Sequence, residues 1–410
     1  MCTTIVVGRK RSATGRVLLA HNEDLGRNSA HKVSVVAART PEPGEPFALY
    51  SGGFLDQPAR TARYLASSIF DRQHFPGDHT SGISEHGVAV ANNMAAMCGV
   101  PAERQFDVIP GGVIWTEFMQ LVLERATSAR EGVDLVGDLC ERRGLSCDSG
   151  TMIAIADAGE AWWVELARDG NWATERVDDD EVSIRANCYR IPGFAARYGD
   201  PASQADRYNL DRHDALEARV AATPRLGVSE LTALLRDVYE GTPLYRARPD
   251  GSPFKTGVRT VAILRTEAAT ILEAQPDFPH SLGHRMWCCL STPLTGVFVP
   301  FHVGIQRIEP HYAAAGASYS ADSAYWLFSE LARLVDYRYG ATVDLVRGAW
   351  RDFEAATIRD LGATEEQCRG LTASQCIDLL TGFDHQRAAE AIRMLEALLP
   401  EVKTRAFHED

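Results

Sequence analysis

The chain has no run of about 18 consecutive apolar residues, so it offers no membrane-spanning helix. Its first apolar stretch, Thr3–Val7, is too short for the core of a secretory leader, and no basic segment precedes it. No CxxC pair occurs, and the nine cysteines follow no regular spacing. That argues against a disulfide framework and for free thiols in a reducing, cytoplasmic setting. Positive charge is in the minority: 42 Lys and Arg stand against 55 Asp and Glu, a formal net charge of −13. Such a surface disfavours nucleic acid and anionic membrane as partners. Internal repeats and low-complexity tracts are also missing. What remains is 410 residues of ordinary globular composition, 45% hydrophobic and 24% charged. That is long enough for one large domain or two smaller ones.

Short β-branched segments dominate the first two thirds. "TTIVVG" (3–8) reads as a strand, "RKRSATGR" as a turn and "VLLAHNED" as the return strand. With the fold-back near Ser12–Thr14, partner numbers sum to about 26, which sets Cys2 opposite Glu23–Asp24. Further strands are expected at 32–38, 84–93, 182–192, 258–265 and around "ATILEAQ", "MWCCLST" and "GVFVPFHVG", with a hairpin over 151–167 turning at Asp157–Glu160. The stretch 52–82 reads as mostly irregular, and 243–257 as a long loop. Helical spacing marks 113–126, and Ser128 with Glu131 opens a second helix running to about Arg142. Two more helices are expected in "ADRYNLDRHDALEARVAA" and "SELTALLRDVYEG", and from about Ala321 the pattern is helical to the end. Strands joined by short hairpins with helix pairs between them predict an α+β fold of two packed antiparallel sheets.

The residue that asks for an explanation is Cys2. Methionine aminopeptidase acts before small residues, so removal of Met1 would leave a cysteine carrying both a thiol and a free α-amino group. An α-amino group titrates near 7.7–8.0, against about 10.4 for lysine. Near neutral pH it can therefore take the thiol proton. A base within reach of a nucleophile is the general arrangement for covalent catalysis.

These residues resemble a family. "MCTTIVVG…GRVLLAHNEDLG", "SEHGVAVANN", "VSIRANCYRIP", "GVRTVAILR" and "WCCLSTPLTGVFVPFHVG" look like successive motifs of N-terminal nucleophile hydrolases of the cysteine dipeptidase (dipeptidase A and secernin-like) branch. Penicillin V acylases and bile salt hydrolases are more distant relatives. The resemblance spans roughly residues 2–305. It implies a four-layer αββα sandwich over 2–310 with a helical C-terminal extension, 311–410, packed on the same domain. It also implies roles. Cys2 matches the nucleophile, with its α-amino group as base. Asp24 matches the aspartate beside them, and Asn92 the oxyanion asparagine, with Asn93 one residue away. Asn187 matches a second active-site asparagine and Arg259 the active-site arginine. The acylase relatives carry arginine where this chain has His21, which bears on substrate selection.

The resemblance implies a dipeptide substrate with a free N-terminus, no cofactor and a homo-oligomer. Two alternatives share the sequence features. One is an acyltransferase or amidase of specialised metabolism that passes the Cys2 acyl group to an amine. The other is a non-catalytic, secernin-like interaction protein. No metal is expected: Asp71, His74, Asp78, His79 and His86 match no ligand spacing. Cys288 and Cys289 read as buried strand thiols facing opposite ways.

Overall fold

A computed structural model describes residues 2–24, 30–70, 79–104 and 107–408. The chain opens with β1 (Thr3–Val7), β2 (Leu18–Glu23), β3 (Ala30–Val36), β4 (Pro46–Ala48), β5 (Phe54–Asp56), β6 (Tyr64–Phe70), β7 (His79–Ser84) and β8 (Ala89–Ala95). A helix pair follows, α1 (Trp115–Arg125) and α2 (Ala129–Arg143), then β9 (Gly150–Ala156), β10 (Ala161–Leu166), β11 (Trp172–Val177) and β12 (Val182–Arg185). Next come α3 (Pro192–Tyr198), α4 (Pro201–Ala205), α5 (Arg207–Ala221) and α6 (Val228–Leu235), and the strands β13 (Ala268–Glu273), β14 (Arg285–Leu290) and β15 (Val299–His302). The tail is α7 (Pro310–Ala313), α8 (Ala324–Tyr337), α9 (Tyr339–Cys368) and α10 (Ala373–Phe407).

Two antiparallel sheets carry the fold. One has the order β12-β1-β2-β13-β14-β15, and the other β11-β10-β9-β8-β7-β6-β3. They pack face to face, with β1 and β2 over β8 and β13 over β7. On the outside, α1 and α2 cover β7 to β11, while α5 and α6 cover β12, β2 and β13. This is the expected αββα sandwich. Strand parity sorts the side chains. Val6, Leu19, Ala91, Met152 and Cys288 fill the space between the sheets. Ile5, Leu18 and Cys289 face α5 and α6, and Val90 and Ile153 face α1 and α2. The tail joins the central core through Phe328, Trp350, Leu380 and Leu395.

The local chemistry explains most boundaries. Ser128 Oγ accepts the Glu131 N–H at 3.2 Å and starts α2. The Glu131 carboxylate turns back to Thr127 rather than closing the box on Ser128. The first hairpin pairs Thr3 with Asn22 and Thr4 with His21, which puts Cys2 level with Glu23. Gly15, at φ 72° in the connecting turn, takes the left-handed conformation that lets the chain fold back.

Three expectations need correction. Residues 258–265 form no strand. Their carbonyls are claimed by other groups: Tyr239 Oη donates to Arg259 O at 2.6 Å and Asn22 Nδ2 to Val261 O at 3.3 Å, so no ladder forms. The stretch 52–82 contains β5, β6 and the start of β7. In β6, "YLASSIF" is weak in β-branched residues, and its strand character comes from lying between β3 and β7. Over 182–192 only the first four residues are strand, because beyond Arg185 the chain leaves β1.

Candidate active site

The ends of β1 and β2 place Cys2, Thr4, His21 and Glu23 on the face turned toward the other sheet. All four are essentially buried. Cys2 Sγ donates to Glu23 Oε1 at 3.2 Å. The other Glu23 oxygen lies 3.1 Å from His21 Nε2. His21 Nδ1 is 2.7 Å from Thr4 Oγ1, whose hydroxyl is donated to Asn93 Oδ1 at 2.5 Å. Because that one hydroxyl hydrogen goes to Asn93, His21 Nδ1 is the donor to Thr4, and Nε2 is left facing the carboxylate. Thiol, carboxylate, imidazole, hydroxyl and amide thus form one continuous buried chain.

Burial, and after it the Glu23 and Asp24 charges, push the Cys2 thiol far up, while a hydrogen bond from the Asp24 backbone partly offsets this. The resting group is a protonated thiol. Burial raises Glu23 too, but the hydrogen bond and charge of His21 outweigh it and hold the carboxyl below its ordinary range. Asp24 follows directly, and its carboxylate has partners of its own. One oxygen pairs with Arg259, and the other accepts from Thr266 Oγ1 at 2.5 Å.

Arg212, on α5, completes the frame. Its Nη1 donates to Cys2 O at 2.7 Å and Thr3 Oγ1 at 3.0 Å, and its Nη2 to Asn187 Oδ1 at 3.0 Å and Asn209 Oδ1 at 2.9 Å. Burial, then the nearby Arg259 charge, lower it to about 10, so it remains a cation at neutral pH. Asn187 gives one amide N–H to Met94 O at 2.9 Å.

Of the residues expected together, Cys2, His21, Asp24, Asn93, Asn187 and Arg259 converge, while the Asn92 side chain does not. Asn92 pairs with Ile153, shares its helix-facing side of the sheet, and donates to Thr151 Oγ1 at 3.5 Å. A one-residue step along a strand reverses the face, so Asn93 is the asparagine that reaches the Cys2 cluster, through Thr4 Oγ1 at 2.5 Å. Both its amide contacts are structural: Nδ2 donates to Arg185 O at 2.9 Å and Ala186 O at 2.8 Å.

The sequence alone assigns no role to Glu23 or Arg212. The hairpin register carries the signal for Glu23, since it lies opposite Cys2. Arg212, some two hundred residues away, leaves no local trace. His79 is a buried structural histidine between Tyr64 Oη at 3.0 Å and Ser68 Oγ at 2.9 Å, and burial lowers it to about 4. His86 is exposed, and Asp71, His74 and Asp78 lie outside the described residues. Cys288 and Cys289 are fully buried on opposite faces. No helix among the described residues is long and apolar enough to cross a membrane. A cavity of about 1120 Å³ between α5, α6 and α9 is lined by none of the Cys2 cluster.

The model of peptidase family C69 matches residues 1–207 and 200–352. Among curated proteins, a probable dipeptidase B of Lactococcus lactis subsp. lactis is 24% identical over 84% of this chain and 83% of its own. A probable dipeptidase of Salmonella dublin is 25% identical over 75% of this chain and 82% of its own. Among solved structures, the C2A mutant of a conjugated bile acid hydrolase from Clostridium perfringens superimposes with a TM-score of 0.45. It has 12% identity over 74% of this chain and 92% of the other.

Proposed function

The chain belongs to peptidase family C69, and on that premise we propose that it is a dipeptidase working through a Cys2 acyl-enzyme. The observation that carries the reading is the 3.2 Å contact of Cys2 Sγ with Glu23 Oε1 at the very start of β1. It sets the thiol inside a framework of fixed hydrogen bonds. Removal of Met1 would turn the Cys2 amide nitrogen into a free amine on the same residue.

Burial and the Glu23 charge both raise the thiol, so deprotonation accompanies attack. The α-amine takes the S–H proton as the S–C bond forms on the substrate carbonyl. The C–N bond then breaks, and the same proton passes to the departing amine. Water, losing its proton to the α-amine, hydrolyses the thioester and restores the thiol. Glu23 aims the thiol, and Arg212 fixes the carbonyl of the nucleophilic residue. Asn187, held by Arg212 with a second amide N–H to give, serves the oxyanion in place of Asn92. A donor of this kind is worth about 3–4 kcal/mol of barrier. Asp24 and Arg259 hold the electrostatics at the end of β2. Curated relatives named as dipeptidases at 24–25% identity support a dipeptide as substrate.

The test is a dipeptide panel read by mass spectrometry with the native chain and Cys2→Ala. The native protein is expected to release free amino acids. The variant, which loses only a small buried thiol, should keep its melting temperature within a few degrees and lose turnover by at least about a thousandfold. Hydrolysis that survives in Cys2→Ala would refute the assignment.

A further inference from the structure

The cluster that holds the thiol has a second chemical capacity. Among the described residues, Cys2, His21 and Glu23 form a group of three potential ligands whose donor atoms all lie within 4.8 Å of one another. Sulfur, imidazole nitrogen and carboxylate oxygen are the donor set of a borderline-soft divalent cation such as zinc. Zinc bond lengths of about 2.0–2.3 Å at tetrahedral angles place such donors about 3.3–3.6 Å apart. Here Sγ and Oε1 are 3.2 Å apart, and Nε2 and Oε2 are 3.1 Å apart. The two contacts use different oxygens of the one carboxylate, so sulfur and nitrogen flank Glu23, and a cation held by all three residues would take the carboxylate through both oxygens.

The surroundings fit as well. His21 presents Nε2 to the cluster because Nδ1 is committed to Thr4 Oγ1 at 2.7 Å, and Thr4 is committed to Asn93. A histidine that ligates a metal characteristically uses its second nitrogen in this way, which fixes the ring. Charge balances too: as the cation binds, the S–H proton and the Nε2 proton leave to solvent, and the thiolate and the carboxylate then cancel the divalent charge, so the buried complex is neutral and its burial carries little penalty. Arginine in place of His21 would offer no lone pair.

We propose that Cys2, His21 and Glu23 bind one thiophilic divalent cation, zinc by chemistry, and that this binding switches the enzyme off by taking up the Cys2 sulfur. The inhibitory half rests on the reading of Cys2 as nucleophile; the binding half does not. An α-amino group freed by loss of Met1 would add a fourth donor, forming an N,S chelate with its own sulfur.

The test titrates the full-length protein with zinc chloride by calorimetry in chelator-free buffer, and with cobalt chloride by absorbance. Expected are one saturable site per chain and a sulfur-to-cobalt charge-transfer band in the near ultraviolet. Affinity should fall by about tenfold or more in His21→Ala and Cys2→Ala. Hydrolysis should be lost with the same midpoint and return on adding EDTA. No saturable binding, or a cobalt spectrum without the sulfur band, overturns the site, and the band requires no variant to fold. Zinc bound through sulfur while hydrolysis persists overturns the inhibitory half, and with it the role of Cys2. Dipeptide hydrolysis with no zinc binding overturns only the site.

Discussion

A thiol buried against a carboxylate stays protonated, and the residues around Cys2 are arranged around that fact. Glu23 touches the sulfur directly at 3.2 Å, whereas Asp24, its neighbour, pairs with Arg259. After burial, the Glu23 charge is the largest contribution raising the thiol. Glu23→Gln removes the charge and keeps an oxygen acceptor for the S–H. The thiolate then becomes easier to form, and iodoacetamide should alkylate Cys2 faster at a fixed, mildly alkaline pH. An unchanged or slower rate in Glu23→Gln would show that its charge does not act on the sulfur.

Much of this residue-scale picture is legible in the sequence, because a hairpin is a local object. The turn alone places Cys2 opposite Glu23–Asp24, and the observed register, Thr3 with Asn22, selects Glu23. Strand parity alone would not choose between Asn92 and Asn93, because the face that meets the other sheet depends on how the sheets pack. Arg212 is invisible for the same reason: its contacts with Cys2 and Asn187 exist only once α5 has docked on the first sheet.

At the scale of elements, the joint between β15 and the tail is a buried ion pair. His302 Nδ1 lies 2.9 Å from Asp384 Oδ1, and Asp384 Oδ2 accepts the His302 backbone N–H at 2.6 Å. Burial pulls the imidazole down, but the charges and hydrogen bonds of Asp384 and Glu365 outweigh it and push it to about 9. A histidine raised above its unfolded value of about 6.5 contributes its full stabilisation below that pH. The contribution is lost as pH rises through about 9, and it amounts to no more than about 3 kcal/mol. Asp384→Asn should lower the melting temperature at neutral pH and flatten its decline between about pH 6.5 and 9. Parallel declines in the two proteins would remove this pair from the account. The tail helices are legible from spacing, but their anchoring is not, since His302 and Asp384 are 82 residues apart in sequence.

At the scale of the molecule, the αββα layers place the thiol between two sheets, at the start of the interior strand β1. The hairpins, the α+β class and the helical tail follow from periodicity. The exceptions are the segments whose backbone is held by distant partners. Residues 258–265 have strand composition, yet Tyr239 and Asn22 take their carbonyls. The tail shares the central core with both sheets. The proposed mechanism puts the chemistry on the first residue of the processed chain, and one measurement reaches that claim directly: the intact mass of active protein, quenched during turnover of a slow dipeptide substrate. The account predicts a chain that lacks Met1 and carries one aminoacyl group mapped to Cys2 after digestion. Fully active protein that retains Met1 would contradict it.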